Sequence, residues 1–495
     1  MLGVDRRPTR GSADVRLIRS RMTARRPGNS KRVGSPAMSA FVAISTGLVV
    51  FSSLEFMLVQ IQKDFALSDD ATIVVGQVSS GAGLLAVFLA GTLADRIGAR
   101  RVLVAAGWLF VGGAFVVGVA PEASILLVGL SMTGVATMAL GIVGLSVVNE
   151  THPGREQRAR AFARFAVVAP AVAIVVPLFV SVVIPLSSWR VVCLAWMGLA
   201  LVVIALVRRS SLPRVGEVRR VEIGSPALAG VGLSATALTF SYLSVGAKAD
   251  GYQSHAAVLA VVAVLAVVAL PVVLRTASRP SLDLRSLRVA GSMPILGAMF
   301  VANAVNLFFF TYLFLQYRYH QSLLTTAVLL IVPQLTAAAG AIVGGRLAGH
   351  FGGPPVAIGS LLLAAVTSSA VFLVGPSSSA LVVVVIAGVA AAPIAATVGS
   401  MTNSFMDLAP PDGGGAAASV RTAAVNLGMA VAGLLVATVV FDDLDRDAER
   451  TIEAYRQQTE AFHLAGAFCI AAYLLAAGLV IVHVRRRTGR LRREV

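Results

Sequence analysis

The chain has 495 residues, 57% hydrophobic and only 13% charged, with a formal net charge of +17. A soluble domain covers its surface with about a quarter charged residues, so this composition excludes an ordinary soluble globular protein and makes lipid the solvent for much of the surface. The positive charge lies in short clusters between apolar runs and at both ends of the sequence. A nucleic-acid face would instead be one contiguous basic patch with interleaved aromatic or polar readers, so no nucleic-acid partner is expected.

In chain order, residues 1–36 carry ten basic side chains and no apolar stretch before Met38, which does not fit a secretory signal peptide. The segment reads either as a basic arm for a lipid surface or as sequence upstream of a later start at Met22 or Met38. Beyond it, a crossing helix needs about 20 apolar residues. Fourteen segments qualify: 38–62, 71–94, 102–120, 124–149, 161–185, 190–207, 225–246, 255–274, 293–316, 323–345, 356–375, 380–403, 416–440 and 463–484. The expected class is therefore an all-α integral membrane protein with 14 transmembrane helices.

An even number of crossings puts both termini on one side, and that side holds 34 of the 41 Lys and Arg residues. Only Lys63, Arg190, Lys248, Arg318, Arg446, Arg450 and Arg456 fall opposite, where the 442–460 loop is rich in aspartate. Positive loops stay in the cytoplasm, so both termini are expected there, in a bacterial plasma membrane. The chain divides into a tail 1–37, six helices in 38–207, a linker 208–292 with two extra helices, six helices in 293–484, and a basic tail 485–495. Cys193 and Cys469 lie far apart in apolar runs and read as small buried side chains.

The turn between the second and third segments reads GTLADRIGARRVL, residues 91–103. Gly91 and Gly98 permit close helix approach and a tight reversal. This stretch resembles the signature GxLADRxGRRxxL of the major facilitator superfamily, matching at Gly91, Leu93, Ala94, Asp95, Arg96, Gly98, Arg100 and Leu103. A weaker copy, GRLAGHFG at 345–352, aligns Gly345, Leu347, Ala348 and Gly352 at a constant offset of 254, with Gly349 in place of the aspartate. Two halves with repeated turns fit the repeat architecture of that superfamily.

The resemblance implies two six-helix bundles, and fourteen spans narrow it to the drug:proton antiporter branch with a central helix pair at 225–246 and 255–274. It also implies a conformational lock built from Gly91, Asp95, Arg96, Gly98, Arg101 and Arg421, in which Asp95 engages the start of the helix at 416–440 or Arg421. The other reading of Asp95 is an acid paired only with its neighbouring arginines. Ser188-Trp189-Arg190 and the glycine-led stretch 413–433 match the same branch.

Two motifs depart from it. Leu130 stands where the branch has an arginine implicated in proton coupling, with Thr133 at its glutamine, and Pro170 and Pro177 remain of the fifth-helix signature without its glycines. Glu55 occupies the position of the first-helix acid. A carboxylate at bilayer depth costs about 2.5–3.5 kcal/mol on insertion scales and is a functional candidate by default, so Glu55 is the expected proton carrier. A protonated Glu55 bonded to a neighbouring helix is the structural alternative. Gln60, Gln77, Thr133, Asn303, Asn306, Gln334 and Asn426 are candidates for a substrate cavity, each also readable as interhelical glue. The aromatic residues 308–314 either stack on substrate or face lipid, and Glu150 and His152 read as interface or cap residues.

A mostly apolar cavity with one buried acid suits lipophilic, often cationic compounds. The expected function is secondary export of such small molecules by proton antiport, with protons and the bilayer as partners. Uncoupled movement of lipids or metabolites, and a membrane scaffold or sensor, are the alternatives. No HExxH, Walker, GxSxG or CxxC motif occurs, so neither an enzyme nor a metal or other cofactor is expected.

Overall fold

The computed structural model describes residues 36–152, 155–212, 222–246, 252–276, 282, 287, 289–305, 307–319, 321–409, 413–439 and 452–494. Regular structure among them is helical throughout. The first group of helices is α1 Pro36–Asp64, α2 Asp69–Gly83, α3 Ala86–Ile97, α4 Ala99–Val119, α5 Ala123–Thr151, α6 Arg155–Leu186 and α7 Trp189–Arg209. A pair follows, α8 Gly224–Gly246 and α9 Tyr252–Thr276. The second group is α10 Ser292–Asn303, α11 Leu307–Tyr319, α12 Leu323–Leu329, α13 Ile331–Phe351 and α14 Gly353–Ser368. It continues with α15 Ala380–Met406, α16 Gly414–Val439 and α17 Ile452–Glu494.

Among the described residues, twelve helical stretches are long and apolar enough to cross a membrane. Of the fourteen expected segments, 293–316 is divided into α10 and α11, and 416–440 coincides with α16 up to Val439. The segment 71–94 is also bent, because α2 ends at Gly83 and α3 restarts at Ala86 after a two-residue turn. Serines start several helices: Ser68 Oγ accepts from the Ala71 amide at 3.2 Å and Ser322 Oγ from Thr325 at 3.1 Å, meeting amides that have no partner inside the helix.

The first group packs around α1 and α5, and the second around α15 and α17. Two seams join the groups. Along one, α6 lies against α13 and α15; along the other, α3 and α5 lie against α16. Helix α8 sits on this second seam, touching α2, α3 and α16 together, and Ser234 Oγ donates to the Gly81 carbonyl at 2.7 Å. Helix α9 packs mainly on α8 and turns side chains such as Val258 and Leu265 outward. Cys193 and Cys469 are both buried and free.

The internal repeat has a backbone counterpart. Gly98 (φ 96°) and Gly352 (φ 94°) each end one helix and begin the next. Their amides donate to Ala94 O at 3.1 Å and Ala348 O at 3.0 Å. A positive φ of this kind is strained for any residue with a Cβ. The same offset of 254 relates Ser146 and Asn149 in α5 to Ser400 and Asn403 in α15.

Candidate functional site: a carboxylate latch between the two halves

Helix α3 carries three groups on successive turns toward α16. Val87 O accepts a hydrogen bond from Ser419 Oγ at 2.6 Å. One turn on, Gly91 lies so close to Gly415 and Ser419 that a Cβ there would overlap both. The next turn brings Asp95, whose Oδ1 accepts from the Gly415 amide at 2.9 Å and Oδ2 from Ala416 at 3.0 Å. The first amides of a helix have no intrahelical acceptor and carry the positive end of its dipole, so a carboxylate is their best ligand. Gly98 then turns the chain back into α4, fixing Asp95 one turn from the helix end.

A second acid approaches the same helix start. Glu150 Oε1 accepts from Ser146 Oγ at 3.0 Å, and both side chains lie beside Gly414. The start of α16 is thus flanked by one carboxylate from α3 and one from α5.

The other expected lock residues go elsewhere. Arg421 donates through Nη2 to Thr402 Oγ1 of α15 at 3.2 Å. Arg96 is half-buried and Arg101 exposed. Arg100 donates to Arg208 O at 2.7 Å, tying the turn to the end of α7.

Glu55 is half-buried in α1, between Leu54 and Phe56, which belong to the core. Two residues before it, Ser53 Oγ accepts from Trp196 Nε1 of α7 at 2.9 Å in the buried interior. No described residue donates to the Glu55 carboxylate.

The expected cavity residues do not form one cluster. Gln60 donates to Asp64 at 3.0 Å near the end of α1, and Gln77 is exposed. Three others bond to their own helices: Thr133 to Leu130 O at 2.8 Å, Asn303 to Met299 O at 2.7 Å and Asn426 to Thr422 O at 2.9 Å. Asn303 also packs against Gly428 of α16, and Gln334 is buried. Asn306 lies outside the described residues. Of the aromatics, Phe310 and Phe314 are buried, and Phe314 stacks on Phe462 with centroids 4.3 Å apart.

At the other end of α1, Asp64 gathers Trp189 Nε1 at 2.6 Å, Arg190 Nη1 at 3.2 Å and Gln60. The hydrogen bond from Trp189, helped by those from Gln60 and Arg190, holds the Asp64 carboxyl below the usual carboxylate range. Arg190 also donates to Ala120 O at 3.1 Å and lies over the Trp189 ring at 4.4 Å. The sequence marked Trp189 and Arg190 only as a matching pair of letters, without their partner.

Two helical groups joined along paired seams, with a carboxylate spanning one seam and twelve apolar helices of crossing length among the described residues, define the class as a multi-pass membrane protein. Residues 38–433 match the family model described as Major Facilitator Superfamily, and the chain belongs to that superfamily. It is 27% identical over 304 residues to "Uncharacterized MFS-type transporter EfpA" of Mycobacterium tuberculosis, covering 59% of this chain and 56% of that one. It is 32% identical over 135 residues to "Multidrug resistance protein Stp" of the same organism, covering 26% of this chain and 25% of Stp. The matched stretch therefore spans little more than half of EfpA and a quarter of Stp. Among solved structures, the human organic anion transporter MFSD10 superposes with a TM-score of 0.60 at 14% identity, covering 89% of this chain and 98% of that one. A bacterial homologue of the iron transporter ferroportin in an outward-facing state gives 0.62 at 12% identity, covering 91% and 98%. At these identities the likeness is one of fold.

Proposed function

We propose that this protein exports lipophilic small molecules across the plasma membrane as a secondary transporter, driven by proton antiport and working by alternating access. The reading takes fourteen crossings, both termini in the cytoplasm, and bundles 38–207 and 293–484 joined by the helix pair of 208–292. The observation that carries it is the Asp95 carboxylate seated on the first amides of α16, a contact between two halves that must part if access alternates. In this reading Gly91, Asp95 and Gly98 form the latch, and Arg96, Arg101 and Arg421, expected in it, make none of its hydrogen bonds among the described residues. Glu55, an acid held within an apolar helix with no donor among the described residues, carries the proton. Thr133, Asn303, Gln334 and Asn426 face the substrate path. Stp, named as a multidrug resistance protein, supports export as the direction and drugs as the class.

One observation favours an uncoupled variant of the same fold. Leu130 is fully buried where the branch places its arginine, and the Thr133 hydroxyl is taken up by Leu130 O. Efflux of a lipophilic dye from proteoliposomes under an imposed pH gradient separates the two readings. Antiport predicts efflux that collapses with the gradient and is lost in Glu55→Gln; efflux indifferent to both would establish the uncoupled carrier.

A further inference from the structure

Among the described residues, the interior of the second half holds two arginines with no paired carboxylate: Arg318, whose guanidinium is taken up by the Pro376 carbonyl and the Tyr455 ring, and Arg421. Arg421 sits half-buried in the second turn of α16, and its guanidinium keeps its charge under all ordinary conditions. Among the described residues its one hydrogen bond runs through Nη2 to Thr402 Oγ1, whose own hydrogen goes to Val398 O at 2.7 Å. Arg421 Nε is buried with no acceptor. No described carboxylate pairs with it. Asp95 and Glu150 are spent on the start of α16, and Glu55 lies on the other half of the molecule.

The neighbours repeat the pattern. Thr422 Oγ1 and both side-chain atoms of Asn403, each next in sequence to a member of the Arg421–Thr402 pair, are likewise buried without a partner. An unpaired buried charge is costly, and so is each unmet polar atom. A guanidinium with free donors, fixed by a threonine, is the usual recognition group for a planar oxyanion.

We propose that Arg421 forms an anion-binding subsite, with Thr422 and Asn403 as neutral donors, for the carboxylate, phosphate or sulfate of an amphiphilic molecule. The proposal rests on the transporter reading in taking this interior as a substrate path, and it narrows the substrate from any lipophile to one bearing an acidic group. Two sources present that chemistry, a free amphiphilic acid and an anionic membrane lipid.

The test uses full-length protein in phosphatidylcholine nanodiscs, titrated with pyrenedodecanoate and with its methyl ester, no gradient imposed. Wild type should prefer the acid by about tenfold, Arg421→Lys should keep part of the preference, and Arg421→Gln should erase it while leaving ester binding unchanged. Competition by added phosphatidylglycerol would identify a lipid source; competition by free fatty acid alone would identify a soluble one. Equal binding of acid and ester by wild type, or parallel loss of both in Arg421→Gln with a lowered melting temperature, overturns the proposal and makes Arg421 a structural cation. Gradient-driven efflux without acid preference sinks the subsite alone, and acid preference without efflux sinks the exporter reading alone.

Discussion

Asp95 and Asp64 stand at opposite ends of the α1–α3 hairpin, and both are bound by hydrogen-bond donors. Their partners differ in kind. Asp64 takes Trp189, Arg190 and Gln60, all within the first helical group, and Arg190 extends the cluster to Ala120. Asp95 takes two backbone amides of α16, some 320 positions further along the chain and in the second group. A contact inside one group survives when that group moves as a body; a contact between groups must break. On the alternating-access reading, the two acids mark, respectively, what the molecule keeps and what it releases.

The largest test of that contrast is Asp95→Lys, which removes two charge-assisted bonds and places a cation against the positive end of a helix. Each such bond contributes about 1.5–3 kcal/mol, so efflux in proteoliposomes should fall by roughly 100-fold or more. The melting temperature should move little, because neither group loses an internal contact. Gly91→Val comes next. Its side chain would overlap Gly415 and Ser419, holding the seam apart, and labelling of a cysteine introduced at Ser419 should rise as efflux drops by about tenfold.

Asp64→Asn should do the reverse, lowering the melting temperature by a few degrees while efflux stays near wild type. Because folding depresses the Asp64 pKa below its ordinary value of 3.8, the stabilisation is present at neutral pH and is lost as pH falls through the folded-state value. The gap between wild type and Asp64→Asn melting curves should therefore close below about pH 4. Smallest is Ser419→Ala, which loses one bond to Val87 O worth about 1 kcal/mol and should slow efflux by about fivefold. A large stability loss from Asp95→Lys, or a dead transporter from Asp64→Asn, would reverse the assignment of the two ends.

The turn at 91–98 was legible because its demands are local. Only glycine takes the φ found at residues 98 and 352 without strain, so the constraint is written at those positions and repeats at the same offset. Apolar length made twelve of the fourteen expected segments legible, apart from their bends, as stretches long and apolar enough to cross a membrane among the described residues. Nothing in the apolar run 71–94 announces the turn at Leu84–Leu85, since hydropathy records burial and not axis direction. The partner of Asp95 was legible as a helix start but not as two particular amides, because backbone donors leave no letter in the sequence. Sequence also could not separate polar side chains that cross to another helix from those that fold back. Thr133, Asn303 and Asn426 all bond three or four residues behind themselves, the common resting place of such groups in a helix. The paired Asp64 cluster was missed for a related reason: its members are 125 and 126 positions apart.

Helix α8 gives the molecule a flank unlike its opposite. It leans on the bent α2–α3 rod through Ser234 and on α16 at once, while α6 and α13 share only α12 and α15, both helices of the second group, among the described residues. If access alternates as proposed, a hinge splinted on one cheek would swing off-centre and the halves would part more widely along α6 and α13. On that reading an oily guest arriving sideways from the bilayer would meet a wall shuttered by α8 on one flank and the α6–α13 seam on the other.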